Sequence, residues 1–373
     1  MKVDFYKHNL GKEEKDSIDK VIDSTFISTG PVTKCFEESF AKYLNAKYCV
    51  AVSNWTLGSF LVLKALGIGS GDEVITTPMS FIATSNSIIH AGAKPIFVDV
   101  EENTGNLDVS NIENSITEKT KAIMPVHLYG QMCDMIAINE IAKKHELYVI
   151  EDCAHCIEGQ REMIRPGQLS TAAVFSFYAT KNITSGEGGA IVTNNYELYE
   201  KLLKYRSHGM SKGAAERHTS KYQHWDMELL GYNCKISDIQ ASLLLPQLKS
   251  IDNNLKIREK ICTKYEHELN NIKGVEFPNI LKSTKHARHL FSIWVAPRKR
   301  DKIIHHLQSS NVGVTVNYRS IHLLSYYRTM PDIKKYRLPN SEKIGNSTIT
   351  LPMYPKITTE EIKYVSSVLK KIV

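Results

Sequence analysis

Lys181 stands where an apolar run gives way to a polar, glycine-rich turn. Ala172 to Tyr178 reads as a buried strand, Ala179 to Gly189 as the turn, and Ala190 to Thr193 as the next strand. A lysine at the mouth of a strand–turn–strand unit, with hydroxyls nearby, suits a Schiff base to an aldehyde cofactor. A second group lies upstream in Leu147-Tyr148-Val149-Ile150-Glu151-Asp152-Cys153-Ala154-His155. Tyr148 to Ile150 reads as a short strand. Asp152 falls at or just past its carboxyl end, where open α/β sheets place their ligands. A third group, Val52-Ser53-Asn54-Trp55-Thr56-Leu57-Gly58-Ser59, follows a strand-like run and opens a helical pattern from Gly58 to Leu66. Amides and hydroxyls at a helix start make a phosphate cradle.

Each group has an ordinary alternative: a solvated loop lysine, an aspartate capping a helix or turn, and a plain helix cap. Together they supply an amine for an aldehyde, an acid for a ring nitrogen and donors for a phosphate. Pyridoxal phosphate needs these three. Its ring accepts electrons from a carbanion only while a carboxylate keeps the ring nitrogen protonated.

The elements that position these groups follow from periodicity. Strand-like runs fall at Tyr48 to Val52, Glu73 to Thr77, Pro95 to Val100, Ala122 to Val126, Tyr148 to Ile150, Ala172 to Tyr178 and Ala190 to Thr193. They alternate with helical stretches, which predicts a mainly parallel, doubly wound α/β sheet of seven strands. A helical stretch from Ser237 to Ile251 leads into a long charged one from Asn253 to Asn271, so the boundary is placed at 250/251. Residues 1–250 then form the large cofactor-binding domain and 251–373 a smaller α+β domain. Val275 to Phe277, His289 to Val295 and Thr348 to Leu351 are its expected strands. Residues 355–373 are expected to hold an amphipathic helix with Ile362, Val365, Val368 and Leu369 on one face.

Composition narrows the function classes. The chain has 373 residues, 42% hydrophobic and 23% charged, enough for a sizeable core and more than one domain. There is no apolar stretch of membrane-spanning length, and the first residues lack the apolar core of a signal peptide. The seven scattered cysteines fit reduced thiols in the cytoplasm. Cys153-Ala154-His155-Cys156 has C-x-x-C spacing, but no second pair at metal spacing accompanies it, so no metal site is expected. The sequons at Asn54 and Asn182 are chance matches in a chain without a leader. The formal charge of +7 comes without a dense basic stripe interleaved with aromatics, so nucleic acid is not an expected partner. The segment from Arg206 through Lys212, Arg217 and Lys221 to Trp225 reads as a basic surface loop, suited to a flap over an anionic ligand.

Taken in order, these motifs resemble the DegT-type sugar-nucleotide aminotransferases, which are fold-type I pyridoxal-phosphate enzymes. The resemblance runs from Ile27-Ser28-Thr29-Gly30-Pro31 through Gly69 to Ile75, Pro95 to Val100, Pro125 to Gln131 and Glu151-Asp152. It continues through Phe175-Ser176-Phe177, Gly186-Glu187-Gly188-Gly189, Arg206 to Gly209 and Leu230-Gly231-Tyr232-Asn233. It implies that Lys181 is the Schiff-base lysine, that Asp152 faces the ring nitrogen, and that His155 packs near the ring oxygen. It implies a stacking role for Phe81 and a phosphate grip by Thr56, the Leu57 backbone and Ser176. Asn233 would reach the cofactor phosphate of the partner subunit in a homodimer with shared sites. Tyr318 and His322 match a substrate-side segment. Departures are Trp55 where a small residue is usual, Cys153 and Cys156 for common alanines, and Cys234-Lys235 for a common Tyr-Arg pair. Trp55 would narrow the cofactor or sugar pocket.

The implied reaction moves an amino group from L-glutamate to a nucleotide-linked keto-sugar, a 4-keto-6-deoxy sugar, for surface glycans such as lipopolysaccharide. Pyridoxamine phosphate carries the amino group between the two halves. Two alternatives are a sugar dehydratase of the same fold, which has histidine in place of the lysine, and a regulator that kept the fold without the chemistry. Lys181 speaks against the first. The intact set of Lys181, Asp152, Thr56, Ser176 and Asn233 speaks against the second.

Overall fold

A computed structural model describes residues 1–211 and 224–373. The basic flap expected between Arg206 and Trp225 therefore lies largely outside the described residues. The large sheet is built from β1 (Tyr48–Val52), β2 (Glu73–Thr76), β3 (Lys94–Phe97), β4 (Thr120–Met124) and β5 (Tyr148–Asp152). After the short β6 (Gln160–Arg161) come β7 (Ala172–Ser176) and β8 (Gly189–Thr193). The order is β1-β8-β7-β5-β4-β2-β3, and β8 alone runs against its neighbours. β7 and β8 are buried along their whole length, as helices on both faces require of a largely parallel sheet.

The helices of this layer are α1 (Lys12–Ile22), α2 (Pro31–Leu44), α3 (Trp55–Ala65), α4 (Ala83–Ala91), α5 (Met135–Lys144) and α6 (Tyr196–Arg206). Then comes α7 (Asp238–Leu269), 32 residues long. Its start is fixed by a capping box between Ser237 and Gln240. The buried Asp238 carboxylate accepts the Gly30 and Thr33 amides at 2.8 and 2.9 Å, joining the start of α7 to that of α2. The two helical stretches expected on either side of residue 252 are one helix, and the expected boundary falls inside it. Pro246 sits within the helix without ending it.

One half of α7 packs Ala241, Leu244, Leu248 and Ile251 with Phe36, Phe40, Phe175 and Phe177 under the large sheet. The other half gives Ile261, Cys262, Tyr265 and Leu269 to a second core. That core is covered by the antiparallel sheet of β9 (Val275–Glu276), β11 (Phe291–Val295) and β12 (Thr348–Leu351), while β10 (Thr284–Lys285) pairs with β6. The helix Thr359–Lys370 buries Ile362, Val365, Val368 and Leu369, the expected face. Val3 joins this core from the other end of the chain. Among the described residues no helix is long and apolar enough to cross a membrane.

α7 also reaches the turn that carries Lys181. Gln247 accepts the Thr184 amide at 3.0 Å and donates to the Thr184 carbonyl at 2.7 Å. Eleven residues on, Arg258 forms a buried ion pair with Glu158, whose other oxygen accepts Asn182 Nδ2 at 2.7 Å. Removing one partner of such a pair strands a buried charge. Arg258→Ala is expected to lower the unfolding free energy by about 3–5 kcal/mol, read by denaturant titration, whereas substituting the exposed Lys256 should change it by less than about 0.5 kcal/mol.

Candidate active site

β7 ends at Ser176 because the chain turns there: the Phe177 amide donates to Gly188 O at 2.8 Å and the Ser185 amide to Phe177 O at 3.0 Å. Within that staple the Lys181 amide closes on Tyr178 O at 2.9 Å, setting Lys181 against a cavity of about 770 Å³. Removal from bulk water lowers the Lys181 ammonium to about pKa 8, against the opposing charge of Asp152. A neutral amine at working pH is the nucleophilic form.

Asp152 closes β5 and lies in the cavity floor. Its Oδ2 accepts from the Thr84 hydroxyl at 2.8 Å and its Oδ1 from the Ala154 amide at 3.1 Å. Burial raises its pKa, opposed by Thr84, Ala154 and the charge of Lys181. Thr84 is in turn 2.7 Å from the Ser80 hydroxyl. Sequence reasoning gave Thr84 no role, though its place one turn beyond Phe81 on α4 was the available signal.

His155 accepts the Tyr129 amide on Nδ1 at 3.3 Å, and its Nε2 lies 3.0 Å from the Tyr318 hydroxyl. Burial pushes its pKa well down, so the ring is neutral, and with Nδ1 accepting, Nε2 carries the proton. Its other side faces His289 at 4.5 Å between ring centroids, and His289 Nδ1 is 3.1 Å from Asn182 Oδ1.

The opposite wall is the start of α3. Asn54 caps it by accepting the Leu57 amide at 2.9 Å, so that amide is already engaged within the chain. Thr56 and Ser176 line the cavity here, and the Ser176 hydroxyl accepts the Tyr178 amide at 3.4 Å. Gly189 lets β8 pass this helix start. A Cβ there would lie 2.8 Å from the Asn54 carbonyl carbon and 2.9 Å from the Trp55 nitrogen. The Trp55 indole is buried and donates to Val174 O at 3.0 Å, which anchors it into the core under the sheet. Phe81 is 57% exposed at the cavity wall, a large apolar ring open to solvent where a flat ligand would cover it.

The structure thus gathers Thr56, Leu57, Phe81, Asp152, His155, Ser176, Lys181 and Tyr318 around one cavity. It does not bring in Asn233 or His322. Asn233 is exposed, bridged to Ser207, and lines no part of its own chain's cavity. His322 is buried against Phe97 with Nε2 3.1 Å from Glu342, away from the cavity. A larger cleft of about 1030 Å³, bordered by Glu266, Phe277 and Trp294, holds none of the chemical groups. His127, Glu151 and Cys153 place ligand-type atoms within 4.8 Å of one another. Both Glu151 oxygens are already used, by His127 on one side and by Gly167 and Ser170 on the other. Cys153 and Cys156 are free, and burial raises both thiols.

A family model for the DegT/DnrJ/EryC1/StrS aminotransferases matches residues 8–370. The chain belongs to that family. It is 39% identical over 370 residues to the spore coat polysaccharide biosynthesis protein SpsC of Bacillus subtilis, covering 98% of this chain and 95% of that one. It is 35% identical over 362 residues to a GDP-perosamine synthase of Escherichia coli O157:H7, covering 96% and 95%. The solved structure of Helicobacter pylori PseC, an aminotransferase involved in the biosynthesis of pseudoaminic acid, superposes with a TM-score of 0.92 at 27% identity, over 100% and 99% of the two chains. The protein is an aminotransferase of fold type I, and its cofactor is pyridoxal phosphate.

The lowered pKa of Lys181 is directly measurable. In enzyme dialysed free of cofactor, acylation of Lys181 should rise through a midpoint near pH 8, because the neutral fraction grows above its pKa. Exposed lysines should follow at about pH 10.4. Site-resolved mass spectrometry across the pH range reads both. A Lys181 midpoint above 10 would show that the amine is fully hydrated.

Proposed function

We propose that this aminotransferase moves the amino group of L-glutamate to a nucleotide-linked keto-sugar, at C4 of a 4-keto-6-deoxy sugar, for a surface glycan. The observation that carries the reading is the Lys181 amine, lowered to about pKa 8, on the same cavity as Asp152, the exposed Phe81 ring and the start of α3. That cavity matches the cofactor's parts: acid for the ring nitrogen, apolar ring for its face, hydroxyls for its phosphate. The relatives named for spore coat polysaccharide biosynthesis and for GDP-perosamine support a sugar nucleotide as the acceptor.

Pyridoxal phosphate, when bound, supplies the electron sink. Thr56 and Ser176 would hold its phosphate beside the Leu57 amide, and Phe81 would cover its ring. Asp152, held by Thr84 and Ala154, would set its carboxylate at the ring nitrogen. His155, oriented by Tyr129 and Tyr318, would pack near the ring oxygen. The Lys181 amine would carry a proton between the donor's α-carbon and the cofactor in the first half of the reaction, and between the cofactor and the sugar carbon in the second. Tyr318 faces the sugar. Asn233, exposed and outside its own cavity, serves the partner subunit's phosphate in a homodimer.

The test is turnover with glutamate and UDP-, dTDP- and GDP-linked keto-sugars. Amino transfer is expected with one of them, and Lys181→Ala is expected to abolish it. Normal steady-state activity in Lys181→Ala would refute the assignment of the amine.

Sharing of sites is tested separately. Asn233→Ala should weaken cofactor retention by roughly ten- to a hundredfold, the worth of one hydrogen bond to a charged group. Mixed dimers of Lys181→Ala and Asn233→Ala chains should regain normal cofactor affinity at one of their two sites, because that site has its own lysine and borrows an intact asparagine. Heterodimers that form without any recovery would place Asn233 at its own chain's site.

A further inference from the structure

The cavity holds a second carboxylate besides the Asp152 floor. Glu187 lines its wall in the turn that follows Lys181, and it is exposed. Its peptide is held firmly. The Glu187 carbonyl accepts from the Ser185 hydroxyl at 2.8 Å and from Gln240 Nε2, on the first turn of α7, at 2.8 Å. Gly186 before it has a φ of +78°, and a Cβ on Gly188 after it would lie 2.4 Å from Ser185 Oγ. The backbone is thus fixed on both sides and from a separate helix. Yet its carboxylate takes no hydrogen bond and no ion pair among the described residues.

Its charge runs against the rest of the site. Lys181 is the one Lys or Arg lining the cavity among the described residues. Everything the proposed reaction brings there is anionic: a cofactor phosphate, a dicarboxylate donor and a nucleotide diphosphate. An unpaired carboxylate among them weakens their binding, unless it accepts hydrogen bonds from one of them. Of these ligands, the sugar ring carries hydroxyl donors, whereas a fully ionised dicarboxylate has only its ammonium.

We propose that Glu187 is a specificity-determining residue that accepts hydrogen bonds from the hydroxyls of the sugar. This rests on the keto-sugar reading above. Glu187 then discriminates between the two substrates that use one cavity in turn: it holds the hydroxylated acceptor and repels the dicarboxylate donor. It moves no proton, and the reaction's rate constants do not depend on its charge.

Glu187→Gln preserves shape and removes the charge. The experiment measures the two halves of the reaction separately in the holoenzyme, following the cofactor's absorbance, with glutamate alone and then with the keto-sugar that the wild type converts. The KM for the keto-sugar is expected to rise by roughly ten- to a hundredfold, the loss of a charge-assisted hydrogen bond, with the maximal rate of that half retained. The KM for glutamate is expected to fall, and to fall less at high salt, where repulsion is screened. A sugar KM equal to the wild type's overturns the proposal. An equal loss in the maximal rates of both halves overturns it as well, since a structural role would produce that. Absence of amino transfer to every keto-sugar by the wild type overturns the reading beneath it, and the proposal with it. Glu187→Asp, one methylene shorter with its charge intact, should keep the glutamate KM at the wild-type value while the sugar KM still rises, separating charge from reach.

Discussion

The buried ion pair of Glu158 with Arg258 carries the geometry of the site. Taking two charges out of water is costly unless their remaining hydrogen-bonding capacity is used. Here Glu158 also takes the amide of Asn182, and Arg258 reaches Ala287 O at 3.3 Å. Asn182 follows Lys181 directly and also meets His289, which faces His155. One desolvated charge pair thereby fixes the lysine turn, the segment around Ala287 and the histidine beside the cavity. Gln247, three turns earlier on the same helix, holds the Thr184 end of that turn.

The cavity itself is a compromise between burial and reactivity. A lysine taken from water becomes a better nucleophile, while an aspartate taken from water resists ionising. The structure eases the second effect with two donors on Asp152, while on Lys181 the first outweighs the opposing charge of Asp152. The proposed roles ask for this difference: a charged carboxylate at a ring nitrogen and a neutral amine at Lys181.

Much of this was legible in the sequence. The strands at Tyr48, Glu73 and Tyr148 start where expected, because a sheet covered on both faces writes itself as continuous apolar runs. The strand from Lys94 stops at Phe97, three residues short of the expected end: the Val98 amide still donates to Thr76 O at 2.9 Å, but Asp99 turns to the following loop, its carbonyl accepting the Asp108 amide at 3.0 Å. The two expected helical stretches on either side of residue 252 are continuous, because packing on two cores outweighs the weak helix propensity of Asn253 and Asn254. Lys181, Asp152 and His155 line one cavity as expected: Asp152 ends β5, and His155 and Lys181 lie in the turns that follow β5 and β7. Thr84 and the Glu158–Arg258 pair were not, since partners 68 and 100 residues apart leave no local pattern. His322 has its partner Glu342 in the fold rather than in the cavity, and a short motif does not distinguish the two.

Val3 has a consequence for how the chain assembles. Its amide donates to Asn311 O at 2.9 Å, its carbonyl accepts from Gly313 at 2.8 Å, and its side chain is buried in the second core. A Cβ on Gly313 would meet the Phe5 nitrogen at 2.5 Å, so the two segments lie in close contact. During synthesis, residues 3–5 have no seat until more than three hundred further residues have followed. The large sheet can form in the meantime from neighbouring strands. The second core cannot, because closing it joins Val3 to residues 291–369 across a long loop. Its completion therefore comes late in folding, and residues 3–5 stay unpaired until then.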